Sequence, residues 1–338
     1  MRLDNIRLCL VGAGRAGMIH ARNFSKNVHG ASIVAIVDPD RSLLDSAGVE
    51  LGVDNRFLGY EDALENADFD AIVVVTPTKF HKEIVLAAAA AGKHIFCEKP
   101  MAMNEHECSD MIEAANRNKV KLQIGFMRRF DDSFMVAKKR IDAGEIGDVV
   151  MVRSLTYGPS TPRAWMYDIS KSNGPLAEVN SHDIDTLRWY TNSEFKEVYA
   201  IGGNYRCPDA RAEYPDFYDN VILNALFENG MQGVINGAQG VQYGYDSRCE
   251  ILGTKGIILV GSLEGSATIS CTINGMTRPI INSWTSLFEK AYSREDQDFI
   301  DCIREDRSPK VTGFDGKMAV KVVNAGNRSI VEKKPIIL

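Results

Sequence analysis

The chain has 338 residues, of which 45% are hydrophobic and 25% charged, the balance of an ordinary globular protein with room for two domains. Its formal net charge is -6 at pH 7, without the basic excess of a nucleic-acid-binding protein, so nucleic acid is not expected as a partner. The N-terminus shows no signal-peptide pattern, and no apolar run has the length of a membrane span, so no membrane partner is expected either.

The cysteines give a second indication of the protein's environment. They number seven, which is odd, and no two are spaced as Cys-x-x-Cys. Several lie within apolar runs, which is typical of reduced, buried thiols and not of a disulfide framework or a zinc site. The sequence therefore predicts a cytoplasmic protein that needs no metal.

The first third of the chain alternates strand-like and helix-like segments. Strands are predicted at 6–12, 32–38, 71–76, 93–97 and 121–126, and helices at 15–27, 79–91 and 104–118. The strands are continuous runs rich in Val and Ile, which is typical of parallel strands covered on both faces. This alternation predicts a doubly wound α/β Rossmann domain over residues 1–126.

After residue 126 the pattern changes to a helix at 131–143 followed by strands separated by turn signals. The strands are predicted at 148–157, 196–205, 219–228, 231–239, 247–252, 256–261 and 266–273, and further helices at 175–190, 289–305 and 314–330. Strands with turns such as Glu228-Asn229-Gly230 between them are typical of an antiparallel sheet. Residues 127–338 are therefore predicted to form an α+β domain for substrate binding and oligomerisation, whose last helix can pack back on the Rossmann domain.

The segment GAGRAG, 12–17, has the G-x-G-x-x-G spacing, directly after a predicted strand and at the start of a helix. Gly12 permits the tight turn, Gly14 lets the backbone approach a pyrophosphate, and Gly17 allows close packing of helix and strand. Arg15 and Ala16 open the helix, whose N-terminal N–H groups and partial positive charge suit phosphates. The segment predicts a dinucleotide site; the alternative is a strand-turn-helix without a ligand.

Two further positions bear on the cofactor. Asp38 ends the second strand, where an acid accepts hydrogen bonds from the adenosine ribose. A carboxylate there repels the 2′-phosphate of NADP, which favours NAD, although Arg41 offsets this preference in part. Thr76 and Pro77, at the end of the strand predicted at 71–76, are expected to line the nicotinamide ribose.

The segment KHIFCEKPMA, 93–102, ends an apolar strand in an acid, a base and a proline. A lysine after a strand is commonly just solvated. In a doubly wound sheet, however, the carboxyl ends of the strands lie at the ligand crevice. Lys99 is therefore interpreted as a residue of the active site, and both Lys99 and Glu98 beside it as contacts of the cofactor.

Three blocks of sequence, GAGRAGMIHARNF (12–24), HIFCEKPMAMN (94–104) and HDIDTLRW (182–189), resemble the Gfo/Idh/MocA oxidoreductases, which act on sugars and cyclitols. Two more, GFMRRFDDSF (125–134) and QYGYDSRCEILGTKG (242–256), resemble the inositol dehydrogenase branch of that family. The resemblance covers nearly the whole chain. It implies a Rossmann domain followed by a domain with a large open antiparallel sheet, and a substrate held between that sheet and the nicotinamide.

The resemblance also implies roles for single residues. Lys99 would hold the substrate hydroxyl near the hydride-accepting carbon, His182 would be the general base, and an acid four residues earlier, here Glu178, would complete the site. The chemistry agrees, because alcohol oxidation needs a base with a pKa near the working pH and a cation beside the developing alkoxide. With Asp185 three residues after His182, these groups would share one face of the predicted helix.

Arg128, Trp165 and Tyr245 are secondary candidates for substrate contacts, each with an ordinary structural alternative: ion pairing for the arginine and packing for the aromatic rings. Two features depart from inositol dehydrogenases. These usually have Asp at the position of Glu178, and a Gly-Gly pair that YDISKSNGP (167–175) lacks. Both departures concern the identity of the substrate more than the reaction.

The leading hypothesis is an NAD-dependent dehydrogenase that oxidises a ring secondary alcohol of a cyclitol or pyranose. An inositol is one candidate, and a glucose-type sugar or glycoside oxidised to a keto-sugar is another. Some related proteins retain NAD for redox-neutral chemistry, so turnover of external NAD is not assured. The alternatives are a non-catalytic, dinucleotide-bound regulator, which would not need both Lys99 and His182, and an imine or carbonyl reductase of the same fold. By resemblance, a homo-dimer or homo-tetramer is expected.

Overall fold

The computed structural model describes residues 5–338, and the chain divides into two compact units. The first unit runs to Phe130 and adds Lys290–Met318. The second contains Asp131–Glu289 and Ala319–Leu338. The domain limits predicted from the sequence, 1–126 and 127–338, stay a prediction.

The first unit is built on a six-stranded parallel sheet in the order β3-β2-β1-β4-β5-β6. Its strands are β1 (Ile6–Val11), β2 (Ala31–Val37), β3 (Arg56–Phe57), β4 (Ala71–Val74), β5 (His94–Glu98) and β6 (Leu122–Gly125). The first five strands are followed in turn by helices α1 (Arg15–Lys26), α2 (Arg41–Leu51), α3 (Tyr60–Asn66), α4 (His81–Ala90) and α5 (Glu105–Arg117). The strand order reverses between β1 and β4, and ligands bind at the carboxyl ends of strands on either side of such a point.

The second unit contains a seven-stranded sheet in the order β12-β11-β7-β10-β9-β8-β15. Its strands are β7 (Val149–Gly158), β8 (Phe195–Gly203), β9 (Asn220–Phe227), β10 (Gln232–Gln239), β11 (Asp246–Gly253), β12 (Ile257–Val260) and β15 (Ile336–Ile337). Neighbouring strands are antiparallel except β7 and β10, which are parallel. The prediction of a Rossmann domain followed by an α+β domain with an open, largely antiparallel sheet is confirmed.

The helices of the second half are α6 (Asp132–Asp142), α7 (Ile169–Ser172), α8 (Gly174–Glu178), α9 (Ser181–Thr191), α10 (Trp284–Leu287), α11 (Glu289–Arg304) and α12 (Gly313–Glu332). Helix α11 belongs mostly to the first unit. Its residues Phe299, Ile300 and Cys302 are fully buried and join the core formed by Ile6 and Leu8 of β1. The first unit is therefore completed by a segment distant in sequence, and α11 brings polar side chains to its interior as well.

Two predicted elements are wrong in detail. The single helix predicted at 175–190 is two helices, α8 and α9. The Asn180 N–H donates to the Pro175 carbonyl, five residues back, which already accepts from Val179, so the regular i to i−4 pattern is broken there. The strand predicted at 266–273 is only a short hairpin, β13 (Ser270–Thr272) with β14 (Gly275–Thr277). Its residues are all exposed, so no buried face extends the strand.

Candidate active site

The turn between β1 and α1 has the backbone that the glycine pattern predicts. Gly12 has φ +102°, and a Cβ there would lie 2.4 Å from the Val75 carbonyl oxygen. A Cβ on Gly17 would lie 1.9 Å from the Gly12 carbonyl oxygen, so both positions require glycine for packing. A Cβ on Gly14, by contrast, would meet no atom within 4 Å. The fold itself therefore leaves space at Gly14, where a ligand can approach the backbone.

The N-terminus of α1 is suited to an anion. The helix begins at Arg15 after Gly14, with neither a side-chain cap nor an acidic residue in its first turn. A helix N-terminus of this kind is suited to an acceptor from a ligand. A cavity of about 280 Å³ lies beside this turn, lined among others by Ala13, Gly14, Leu43 and Glu50. Its position between α1 and α2 suits the adenosine half of a dinucleotide.

Asp38 follows β2 and is only 7% exposed. One carboxylate oxygen accepts a hydrogen bond from the Ala13 backbone N–H at 2.8 Å, and the other accepts from the Asp40 N–H at 2.8 Å. These bonds fix the carboxylate beside the glycine turn, and each oxygen keeps a lone pair that can accept from a ribose hydroxyl. Arg41 opens α2 and is exposed, which leaves the predicted preference for NAD intact.

Thr76 and Pro77 follow β4 at the same edge of the sheet. The Thr76 carbonyl oxygen lies 2.8 Å from His81 Nε2. Its hydroxyl oxygen is buried and has no hydrogen-bond partner among the described residues. Buried polar atoms are nearly always satisfied, so a hydroxyl in this state is suited to contact a ligand. Together with the open Gly14 and the uncapped helix, it makes the first unit a good fit for NAD.

Lys99 directly follows β5, as predicted, and the Lys99–Pro100 peptide bond is cis. The Lys99 backbone N–H donates to Glu98 Oε2 at 2.9 Å. The other oxygen of Glu98 lies 3.0 Å from His20 Nε2. Both Glu98 oxygens thus contact groups of the protein, and the role of Glu98 in cofactor binding stays a prediction.

The sequence did not indicate a role for His20 or Asp296. His20 is fully buried, and its Nδ1 lies 2.7 Å from Asp296 Oδ1. Burial alone would lower the pKa of His20, but the Asp296 carboxylate, with a further contribution from Glu98, raises it well above the ordinary value. The ring is therefore an imidazolium at neutral pH and donates to both carboxylates. Asp296 is 276 residues away in sequence, so no local pattern could have revealed the pair.

Arg128 and Arg129 lie in a short 3₁₀ helix, Met127–Phe130, that follows β6. Arg129 pairs with Asp315 at 3.0 Å, the ordinary role considered for such an arginine. Arg128 is only 1% exposed, so it is not a surface ion pair. Its contact with substrate stays a prediction.

In the second unit, α9 carries two of the predicted residues near its N-terminus. His182 is 7% exposed and Asp185 is 1% exposed. Glu178 is half-buried at the end of α8. Because the helix is interrupted between Glu178 and His182, the expectation that both lie on one face of a continuous helix is wrong. Their roles in the reaction do not depend on that expectation and stay predictions.

Asp183, beside His182, is a residue that sequence reasoning missed. It is fully buried and accepts hydrogen bonds from Ser154 Oγ at 2.5 Å, Thr156 Oγ1 at 2.8 Å and Asn180 Nδ2 at 2.8 Å. Ser154 and Thr156 belong to β7, so these bonds attach the start of α9 to the sheet. Asp183 thereby fixes the part of the helix that carries His182.

The two aromatic candidates have different surroundings. Trp165 is 40% exposed in a 3₁₀ helix, Ala164–Tyr167. Tyr245 is 6% exposed, and its ring packs edge-on against Phe288 at 6.4 Å between centroids. Packing thus accounts for the burial of the Tyr245 ring, and substrate contacts by either Trp165 or Tyr245 stay a prediction.

Replacing the two glycines at the turn separates cofactor binding from folding. Gly14→Ala is expected to fold with wild-type stability and to bind NAD at least about tenfold more weakly, because the new methyl group occupies space left for the ligand. Gly17→Ala is expected to destabilise the fold itself, since its Cβ overlaps the Gly12 carbonyl. Thermal unfolding and calorimetric titration with NAD measure the two effects. Wild-type NAD affinity in Gly14→Ala would contradict the assignment.

A second prediction concerns Glu295 on α11. It is fully buried, and neither carboxyl oxygen has a hydrogen-bond partner in residues 5–338. Burial, assisted by the charge of Glu98, raises the pKa of Glu295 well above its ordinary value. The folded protein therefore keeps a proton that the unfolded chain releases above about pH 4.3. Between about pH 4.3 and the raised pKa of Glu295, the free energy of unfolding should therefore fall by up to about 1.4 kcal/mol per pH unit.

Glu295→Met is expected to remove this contribution and to flatten the dependence of stability on pH between weakly acidic and weakly alkaline solution. The raised pKa of His20 also makes the free energy of unfolding fall as the pH rises, so some slope remains in Glu295→Met. Chemical denaturation across that range measures the slope. Glu289→Met, at the exposed first residue of the same helix, is the control. An unchanged slope in Glu295→Met would contradict the prediction.

Two other classes of feature are absent from the described residues. Within residues 5–338, no helix combines the length and apolar character needed to cross a bilayer. The same residues contain no group of three or more His, Cys, Asp or Glu side chains placed to hold a metal ion. The seven cysteines are free thiols, six of them buried and Cys271 exposed.

Comparison with known proteins identifies the family of the chain. Residues 6–126 match the model of an oxidoreductase family with an NAD-binding Rossmann fold, and residues 134–259 match the GFO/IDH/MocA C-terminal domain. The chain is 32% identical to the scyllo-inositol 2-dehydrogenase (NAD(+)) of Bacillus subtilis strain 168, over 98% of this chain and 96% of that protein. It is 33% identical to the inositol 2-dehydrogenase of Rhizobium meliloti strain 1021, over 98% of each.

A solved structure gives the same result. The scyllo-inositol dehydrogenase of Lactobacillus casei, with bound cofactor NAD(H) and scyllo-inositol, superposes with a TM-score of 0.91 at 30% identity. The match covers 98% of this chain and 99% of that one. The predicted family, the predicted enzyme class and the predicted cofactor, NAD, are confirmed. The chain belongs to the GFO/IDH/MocA family and is an NAD-dependent oxidoreductase.

Proposed function

We propose that the protein is a dehydrogenase that oxidises a ring secondary alcohol of a cyclitol, with an inositol as the first candidate. The observation that carries this proposal is the match, over 98% of the chain, to a dehydrogenase structure that holds NAD(H) and scyllo-inositol. Curated relatives of similar coverage are named as inositol 2-dehydrogenases. Oxidation of a CH–OH group also agrees with the residue types that the two units provide.

In the proposed reaction, bound NAD supplies the hydride acceptor. The protein must hold the alcohol, remove its hydroxyl proton and stabilise the charge that develops on oxygen. We assign the proton transfer to His182, since a histidine has a pKa suited to a base near neutral pH. We assign the stabilisation of developing alkoxide to the ammonium group of Lys99, which is most effective in a site from which water is excluded.

The remaining predicted residues would recognise the polyol. Carboxylates at Asp185 and Glu178 would accept hydrogen bonds from ring hydroxyls, and Arg128 would donate hydrogen bonds to the hydroxyl oxygens. Trp165 or Tyr245 would cover an apolar face of the ring. Glu178 has one methylene more than the aspartate usual in inositol dehydrogenases, so the fit to an individual epimer is expected to differ. Selectivity among epimers depends on such bonds, because an unpaired buried hydroxyl costs about 1–3 kcal/mol.

We further propose a cytoplasmic homo-dimer or homo-tetramer. Six buried free thiols suit a reducing compartment. One face of the seven-stranded sheet, here called the outer sheet face, carries apolar side chains that are 38–68% exposed: Ile201, Ile222, Leu226, Leu252, Ile257 and Leu259. An apolar surface of this kind is typical of a subunit interface. Sedimentation equilibrium measures the oligomeric state, and a monomer would contradict the proposal.

The substrate proposal is tested by following the absorbance of reduced nicotinamide with NAD and a panel of polyols. The panel contains myo-inositol and scyllo-inositol, glucose and galactose, and one aryl and one C-linked glucoside. Reduction of NAD with an inositol and not with the pyranoses is the expected result. Reduction with glucose or a glucoside alone would move the substrate class to pyranoses. No reduction with any compound, while NAD still binds, would contradict the proposed turnover.

A further inference from the structure

Behind the turn that carries Lys99 lies a buried cluster of ionisable side chains that the proposed reaction does not use directly. It consists of His20 on α1, Glu98 at the end of β5, and Glu295 and Asp296 on α11. None of the four is more than 7% exposed. Burying charged groups is costly even when they are paired, so their contribution to stability alone does not explain why they are there.

Three members of the cluster, Asp296, His20 and Glu98, form a continuous chain of hydrogen bonds that ends at the Lys99 backbone N–H. Asp296 Oδ1 lies 2.7 Å from His20 Nδ1, His20 Nε2 lies 3.0 Å from Glu98 Oε1, and Glu98 Oε2 accepts the Lys99 backbone N–H at 2.9 Å. Because His20 is an imidazolium, it donates to a carboxylate at each ring nitrogen. Such charge-assisted bonds are shorter and stronger than neutral ones.

Each member of the chain is itself held in place. Asp296 Oδ2 accepts from Asn23 Nδ2 at 2.9 Å. The His20 ring packs against Phe96, with 4.9 Å between centroids. Opposite Glu98 on β6 stands Gly125, where a Cβ would lie 2.9 Å from the Glu98 carboxyl group. The backbone thus makes room for the Glu98 carboxylate in this one position.

The turn is also held after Lys99, by a different kind of contact. His81 on α4 is 1% exposed, with Nδ1 3.0 Å from the Pro100 carbonyl oxygen and Nε2 2.8 Å from the Thr76 carbonyl oxygen. Burial lowers the pKa of His81, and a neutral ring donates through one nitrogen only, either to the Pro100 or to the Thr76 carbonyl. Lys99 is therefore flanked by the charged His20–Glu98 contact on one side and by the buried His81 ring, beside the Pro100 carbonyl, on the other.

We propose that His20 and Asp296 are positioning residues for the reaction, which fix the Lys99 turn through Glu98. The inference rests on the proposed role of Lys99 as the group that stabilises the developing alkoxide. In this arrangement, contacts from α11 and α1 fix the backbone from which the Lys99 side chain extends, and so the position of its ammonium group. Displacements of about 1 Å at a catalytic group cost on the order of 100-fold in rate.

Two substitutions of His20 test the link, because asparagine and glutamine replace different ring nitrogens. His20→Asn has an amide near the position of Nδ1 and can still reach Asp296, but not Glu98. His20→Gln has an amide near the position of Nε2 and can still reach Glu98, but not Asp296. If the contact with Glu98 positions Lys99, kcat should fall about 10- to 100-fold in His20→Asn and clearly less in His20→Gln.

The control is His94→Gln, at the opposite end of the same strand from Lys99. His94 accepts a hydrogen bond from the Lys121 N–H at 3.0 Å, so its loss disturbs β5 without disturbing the turn. A second readout does not depend on activity: hydrogen exchange at the Lys99 amide, which Glu98 protects. Exchange is expected to accelerate in His20→Asn and to remain at the wild-type rate in His94→Gln.

The outcomes separate this inference from the proposed function. Wild-type kcat and wild-type protection of the Lys99 amide in His20→Asn, with only a lower Tm, would overturn the positioning role. Should His20→Asn fail to fold, Asp296→Asn takes its place, because it keeps the shape of the side chain and removes the charge opposite His20. Its kcat and the protection of its Lys99 amide then decide the positioning role in the same way. If Lys99→Ala itself keeps wild-type turnover, the proposed function fails, while the exchange measurement still tests the structural link.

Discussion

Lys99→Ala is expected to lower kcat by at least about 10²- to 10³-fold, the usual cost of removing one group that stabilises a developing oxyanion. The Kd for NAD is expected to stay close to that of the wild type. The glycine turn, Asp38 and Thr76 lie on other strand ends and do not depend on the Lys99 side chain. Steady-state kinetics and calorimetric titration with NAD measure the two quantities separately.

Lys93→Ala is the matched control for this variant. Lys93 precedes the same strand at its other end, and its ammonium group donates to the Phe69 carbonyl at 2.7 Å. A modest loss of stability with kcat unchanged is expected there. Wild-type kcat in Lys99→Ala, or an equal loss of kcat in both variants, would contradict a specific role for Lys99.

His182→Asn is expected to lower kcat by about 10²- to 10⁴-fold, the range for loss of a general base. The variant should also lose the fall in rate that protonation of a histidine base causes at acid pH. Asparagine keeps a polar group on α9 and leaves the bonds of Asp183 to Ser154 and Thr156 intact, so the helix should stay attached to the sheet. The pH dependence of kcat and kcat/KM provides the measurement.

His106→Asn controls for loss of a histidine as such, since the His106 side chain is 84% exposed on α5. It should have wild-type kinetics at every pH. If His182→Asn retains the acid limb of the wild-type profile, another group is the base and the assignment is wrong.

Much of the first unit could be predicted from sequence because its signals are local. Unbroken Val and Ile runs identify strands that are covered on both faces. A glycine pattern between a strand and a helix identifies the dinucleotide turn, and the end of β5 locates Lys99 at the ligand edge of the sheet. These inferences need only neighbouring residues and the rules of parallel sheets.

The groups that support the site could not be predicted because they are joined by contacts distant in sequence. Asp296 meets His20 only because α11 packs into the core of the first unit. No local pattern in the sequence distinguishes Asp183, yet it accepts three hydrogen bonds, two of them from β7. The break between α8 and α9 was missed because the apolar spacing continues through Val179, while the backbone turns to bond Asn180 to Pro175.

The most direct test of the account is the fate of the hydrogen on the ring carbon. The cyclitol that is most active in the panel is prepared with deuterium at its ring carbons and incubated with NAD, and the reduced nicotinamide is analysed by mass spectrometry. Direct hydride transfer from the ring carbon predicts reduced coenzyme carrying one deuterium with the wild type, and almost none formed by Lys99→Ala or His182→Asn. Reduced coenzyme without deuterium, or no reduction by any cyclitol while NAD binds, would contradict direct oxidation of a ring alcohol.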